Sequence, residues 1–169
     1  MTIDKLFITK SLDLLQNEYL SKIEKSISKL NDEQIWWRPN ENSNSIANLL
    51  LHLNGNVRQY LIAGVGEKIF ERNRELEFNE RKNISSNILL NQLKETVNEA
   101  TEILNNLDLE KLTEVRIIQG KEKTLLDAIY HSVEHFSMHT GQIIFISKLL
   151  LNEDLEFYEI KNGIPHFKL

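Results

Sequence analysis

The chain has no cysteine among its 169 residues, so disulfides, thiolate metal ligands, a CxxC redox pair and a cysteine nucleophile are all excluded. Any thiol chemistry would need a thiol from outside. Only two prolines and six glycines are present, too few for long disordered linkers or many tight turns, and this scarcity of breakers points to long helices. Long apolar runs are missing as well. The two longest, residues 46–53 and 143–151, are interrupted by Asn48, His52, Ser147 and Lys148 and are too short to cross a bilayer. Near the N-terminus, Asp4 and Lys10 break the one candidate apolar region and no small-residue cleavage pattern follows, so a cytoplasmic protein without a membrane partner is expected. An excess of positive charge is also absent: 20 basic against 25 acidic residues give a net charge of −5, which argues against a nucleic-acid partner. With 41% apolar residues the chain can build a full core, and a single domain over residues 1–169 is expected.

Apolar residues three and four apart mark four helical segments. The first, about residues 2–30, carries Ile8, Leu12, Leu15, Tyr19, Ile23, Ile27 and Leu30, and ends at Asn31, Asp32 and the Arg38-Pro39 turn. The second opens at the N-cap candidate Ser45 and runs to about residue 63, where Gly64 and Gly66 stop it. Thirteen residues follow, 71–83, of which eight are charged; they read as a solvated connection. The third segment opens near Ser85 or Ser86 and repeats Leu89, Leu93, Val97, Ala100, Leu104 and Leu107. After a turn around Gly120, the fourth begins at about Thr124 and continues to Leu151. No alternating strand pattern is visible. The fold expected is all-α, a four-helix bundle with a long crossover between helices 2 and 3.

The chemistry is concentrated in the fourth segment. His131, His135 and His139 recur every four residues, which at about 100° per residue puts them in one column on the face that also carries Ala128, Met138, Gln142 and Ile146. An isolated buried histidine is ordinarily a hydrogen-bonded core residue. Three in a column are harder to satisfy, because protonated imidazoles repel and each unpaired nitrogen costs about 1–3 kcal/mol. A shared cation removes both problems. Two histidines at i and i+4 can share one ion but rarely close a site, so a further ligand must come from elsewhere. His52 is the best candidate, lying mid-helix between Leu51 and Leu53. Its face also collects Ser45, Asn48, Gly55, Asn56 and Gln59, more polar than a packed core needs, and reads as a pocket wall. Gly55 costs about 1 kcal/mol against alanine in a helix interior, which room for a ligand or a close helix crossing would explain.

Leu51-His52-Leu53-Asn54-Gly55-Asn56, followed by His135-Phe-Ser-Met-His139-Thr-Gly141-Gln142, resembles the DinB/YfiT-like superfamily, most closely its uncharacterised branch with a Trp36-Trp37-Arg38-Pro39-Asn40 segment. The resemblance spans about residues 32–158. It implies a four-helix bundle with a long crossover, often homodimeric, and a divalent metal held by His52, His135 and His139. It also decides which two of the column histidines bind. A rival motif overlaps: His131-Ser-Val-Glu134-His135 fits H-x-x-E-H, in which both histidines bind zinc, the glutamate is a base and a carboxylate ligand would come from Glu153, Glu156 or Glu159.

Three neutral nitrogen ligands leave a coordination position open and the ion's charge uncompensated, an arrangement suited to acidifying a water or thiol. Relatives implied by the resemblance include transferases that use bacillithiol or mycothiol. The expected function is a metal-dependent enzyme of the thiol-S-transferase type acting on a small electrophile, or a hydrolase; the alternative is a non-catalytic metal- or ligand-binding bundle. Zinc and nickel suit imidazole ligands, with manganese or iron as further options. Gln142 could hold a bound molecule or orient His139, and Asn56 and Gln59 could contact substrate. Trp36 and Trp37 read as a packing lid, His131 as a pocket or core residue, and His166 as inert.

Overall fold

Thr2, Ser45, Ser85 and Thr124 each accept a hydrogen bond from the backbone N–H three residues on, and each opens a long helix. At Ser45 and Thr124 the bond is reciprocated by Asn48 and Asp127, forming capping boxes. In this computed structural model, which describes residues 1–81 and 84–168, α1 runs over Ile3–Asp13, passes through a π-helical stretch, Leu14–Leu20, and continues over Ser21–Ile27. A single turn, α2 (Asp32–Trp36), follows. The helix α3 spans Ile46–Val57 and is prolonged by a π-helical stretch, Arg58–Val65. Next come α4 (Arg74–Asn79) and α5 (Ser86–Asn105). A 3-10 turn, Leu109–Thr113, leads to an antiparallel hairpin of β1 (Val115–Ile118) and β2 (Lys121–Thr124), turned at Gln119 and Gly120, both at positive φ. The last helix, α6 (Leu125–Leu151), ends where Asn152 takes the left-handed conformation. A second hairpin, β3 (Tyr158–Lys161) and β4 (Ile164–Phe167), closes the described chain.

Among the described residues the chain is mostly helical with two small sheets. The four segments expected from periodicity are the four long helices. Two short helices and two hairpins were not expected from the pattern, because strands of four residues and helices of one or two turns are too short to show a period. The helix α3 packs on α5 and α6, and α1 packs on the same two, around one cluster that includes Leu15, Ile23, Leu53, Leu61, Leu93, Ala100, Ile129 and Phe136. Among the described residues, no helix is long and apolar enough to cross a membrane.

The connection between α3 and α5 departs most from its expectation. Lys82 and Asn83 of the charged stretch 71–83 lie outside the described residues. Within the rest, α4 packs on α3 and Glu77 is buried, so this stretch is not simply a solvated connection. Asn48, buried on α3, donates from Nδ2 to the Glu77 carbonyl at 2.9 Å and lies within 3.4 Å of the Phe78 and Glu80 carbonyls, which pins the segment down. Tertiary bonds of this kind hold a six-residue helix that its own sequence could not sustain.

Candidate metal centre

Helix α3 brings His52 to the buried face opposite α6, and the four-residue spacing on α6 stacks His135 and His139 one turn apart against it. Their Nε2 atoms converge: His135 lies 2.8 Å from His52 and 3.1 Å from His139. One ligand nitrogen from each of the three imidazoles falls within 4.8 Å of the other two. Two nitrogens bound to one tetrahedral ion at about 2.0–2.1 Å stand about 3.4 Å apart, so the cluster is close to the required size.

The outer nitrogens fix the tautomers. His52 Nδ1 lies 2.8 Å from Glu77 Oε2, and His139 Nδ1 lies 2.7 Å from Gln142 Oε1. Both partners are acceptors, so each Nδ1 carries the proton and each Nε2 presents a lone pair. His135 Nε2 faces both lone pairs and has one proton at most to give. At least one nitrogen in this buried cluster is therefore left without a donor, and a cation at the convergence point removes that mismatch. Burial and the neighbouring His139, His52 and His131 push His135 down to about 3. Burial also lowers His139, an effect its hydrogen bond to Gln142 only partly offsets. Neutral imidazoles are the form that binds metal.

Behind His52 stands an ion pair that sequence reasoning missed. Arg72 donates from Nε to Glu77 Oε1 at 2.6 Å and from Nη2 to Oε2 at 2.7 Å, and its Nη1 donates to Gln59 Oε1 at 3.0 Å. Burial alone would raise the Glu77 carboxyl, but the hydrogen bonds from Arg72 and His52 hold it below the usual carboxylate range. Gly55 carries the explanation for its own presence: a Cβ there would come 2.0 Å from Glu77 Oε1 and 3.0 Å from Arg72 Nε. Its bare backbone therefore seats the ion pair. The polar face around His52 is thus mainly a fastening surface, with Asn48 and Gln59 engaging the α3–α5 connection rather than forming an open pocket wall. The unexplained glycine was the one sequence signal for this pair, since nothing distinguishes Arg72 and Glu77 within a run of charges.

The remaining candidates are also placed. Asn56 is buried with Nδ2 3.3 Å from His131 Nε2, and the His131 ring lies 4.2 Å from that of Tyr60. His131 and His135 line an open cleft of about 670 Å³ with Tyr19, Tyr130, Glu134 and Met138. Across Met138, a second cleft of about 590 Å³ is lined by Trp37, Gln142, Phe145 and Leu149. Trp36 is buried and donates from Nε1 to the Ile84 carbonyl, whereas Trp37 lines the second cleft. His166 is exposed on β4. For the H-x-x-E-H reading the placement is unfavourable: Glu134 is exposed, while Glu153, Glu156 and Glu159 pair with Lys29, Lys168 and Lys161.

A family described as a protein of unknown function, DUF1572, matches residues 3–164. The chain belongs to this family. Among curated proteins none matches. Two solved structures are similar: a conserved protein from Enterococcus faecalis, 14% identical over 90% of this chain and 99% of that one with a TM-score of 0.70, and a DinB-like protein from Bacillus cereus ATCC 10987, 16% identical over 81% and 90% with a TM-score of 0.64. The DUF1572 chain thus shares the fold of a DinB-like protein.

Proposed function

We propose that this DUF1572 protein is a metal-dependent enzyme of the thiol-S-transferase type, built on a DinB-type four-helix bundle with a crossover between its second and third long helices. The observation that carries the reading is the convergence of the Nε2 atoms of His52, His135 and His139, with two outer nitrogens anchored by Glu77 and Gln142. A divalent ion held there, zinc or nickel in first place and manganese or iron otherwise, would acidify a thiol or water beside it. The residues of the chain supply the rest. Glu77 and Gln142 orient His52 and His139, Arg72 keeps Glu77 ionised, and Gln59 steadies Arg72. Gln142, Asn56 and Gln59 act as positioning residues rather than as substrate contacts. The cleft beside His135 admits a small electrophile, and His131, held by Asn56 and kept neutral by burial, offers it a hydrogen bond. A homodimer, a cytoplasmic location and a single domain over residues 1–169 belong to the same proposal.

The test is turnover. Protein purified without a nickel column is assayed with a panel of electrophiles and an added low-molecular-weight thiol such as bacillithiol. Conjugate formation that needs metal and disappears in His139→Ala supports the enzyme. Bound metal with no product from any thiol or ester favours the second reading, a non-catalytic metal- or ligand-binding bundle.

A further inference from the structure

The hairpin of β1 and β2 ends in a two-residue turn with Gln119 and Gly120 at φ 54° and 72°, the signs that a type I′ turn requires. Glycine suits its position. The other position ordinarily takes asparagine, aspartate or glycine, and a glutamine there holds a left-handed backbone without a side chain that favours it. Turn geometry alone does not account for Gln119, but the reach of its side chain does. Gln119 Nε2 donates to Gln59 Oε1, the same oxygen that accepts from Arg72 Nη1 at 3.0 Å. Its own Oε1 accepts from the Tyr60 hydroxyl at 3.3 Å. The direction of this chain is fixed from one end, because a guanidinium can only donate. An asparagine at the turn would end one C–C bond short of both partners.

The hairpin itself is firmly seated. Arg116 Nη1 donates to the Gly64 and Val65 carbonyls at 3.1 and 2.9 Å, at the end of the π-helical prolongation of α3. Ile118 is buried against Gly64, where a Cβ would lie 2.6 Å from Ile118 Cδ1. The hairpin tip is thus a fixed point from which one side chain reaches back to two adjacent residues of that prolongation, Gln59 and Tyr60. From Gln59 the contacts continue through Arg72 and Glu77 to His52 Nδ1. From Tyr60 they continue to the His131 ring in the cleft wall.

We propose that Gln119 is a positioning residue, which holds Gln59 and through it the Arg72 and Glu77 pair that seats His52. Without it the Gln59 amide loses one of its two donors, and the Arg72 guanidinium gains freedom at the end away from Glu77. The hairpin, far from the histidines in sequence, then contributes to the order of the metal centre without touching it. The influence on metal binding rests on the proposed metal centre; the influence on Arg72 does not.

Gln119→Asn in the full chain is the test, because it improves the turn while shortening the reach. A residue kept only for the hairpin would leave everything but stability unchanged. The urea midpoint should equal or exceed that of the wild type. In the metal-free protein, exchange of the Arg72 Nε–H, followed by NMR, should be at least about threefold faster. The zinc dissociation constant should rise about threefold to tenfold, less than for the loss of a direct partner of a ligating histidine. In a Gln59→Ala background, Gln119→Asn should change neither quantity, as expected of a residue that acts through Gln59. Unchanged exchange in Gln119→Asn overturns the proposal, as does an unchanged zinc constant where the wild type binds zinc, or additivity with Gln59→Ala. A wild type that binds no zinc defeats the metal-enzyme reading instead, and the Arg72 exchange rate still decides the role of Gln119.

Discussion

Glu77 Oε2 stands 2.8 Å from His52 Nδ1, although the two residues come from different helices and the glutamate belongs to a stretch that reads as solvated linker. This contact ties the fold of the α3–α5 connection to the tautomer of a candidate metal ligand. Arg72 Nη2 is also within 3.1 Å of the same Nδ1, but only an acceptor there leaves Nε2 free for an ion, and Glu77 is that acceptor.

Replacing the acceptor should therefore weaken metal binding without removing a ligand. Glu77→Gln keeps the side-chain volume and removes the charge, and it should lower zinc affinity about 10–100-fold, in the range of other lost partners of ligating histidines. Competition against a chromophoric chelator measures this, with circular dichroism to show that the variant is folded. Unchanged affinity would separate Glu77 from the metal centre.

The same pair makes Gly55 intolerant of a methyl group. In Gly55→Ala, helix propensity alone would stabilise by about 1 kcal/mol. The added Cβ, however, would lie 2.0 Å from Glu77 Oε1 and force the buried pair to move. Overpacking of this kind costs about 1–3 kcal/mol, so net destabilisation is expected together with weaker zinc binding. Urea denaturation decides the sign. A stabilised variant would mean that Gly55 is not the seat of the pair.

How far the sequence was legible follows from where each signal resides. Caps and apolar periodicity are local, and Ser45, Ser85 and Thr124 open their helices as the pattern suggests. The i, i+4 spacing of His135 and His139 is also local, and His52 stood out as a polar residue between leucines. Arg72 and Glu77 gave no such signal, because their burial depends on Asn48, Gly55 and Gln59 from another helix. The hairpin at Gln119 and Gly120 was visible only as a turn. The π-helical stretches Leu14–Leu20 and Arg58–Val65 leave the apolar spacing nearly intact and do not show in it at all.

Stability of the metal-free protein should fall as the pH drops. An unfolded histidine takes up its proton near 6.5, while burial holds His135 to about 3 and lowers His131 and His139 as well. Between those limits the unfolded chain binds more protons than the folded one, so acid favours unfolding. Glu77 acts in the same direction at the lower end: its folded value lies below the ordinary 4.5, so its contribution is present above that pH and is lost as the pH falls through the lowered value. The urea midpoint without metal should decline steadily from pH 7 to pH 4. Excess zinc should raise it at pH 7 and lose its effect on acidification as the imidazoles protonate. A flat profile would contradict buried neutral histidines.

Single-site variants rank the ligands. His52→Ala and His135→Ala each remove one of three converging nitrogens, so both should reduce zinc occupancy to a similar and large degree. His131→Ala should have a smaller effect, since its Nε2 is 3.3 Å from Asn56 and it does not join the converging group. Glu134 is exposed, and Glu134→Ala should leave zinc occupancy unchanged. Elemental analysis after dialysis against a weak chelator gives the order directly. In the H-x-x-E-H arrangement the order differs: His131 and His135 would be the indispensable pair and His52 expendable. Retention of zinc in His52→Ala with loss in His131→Ala would therefore transfer the site from the α3–α6 interface to the H-x-x-E-H segment of α6.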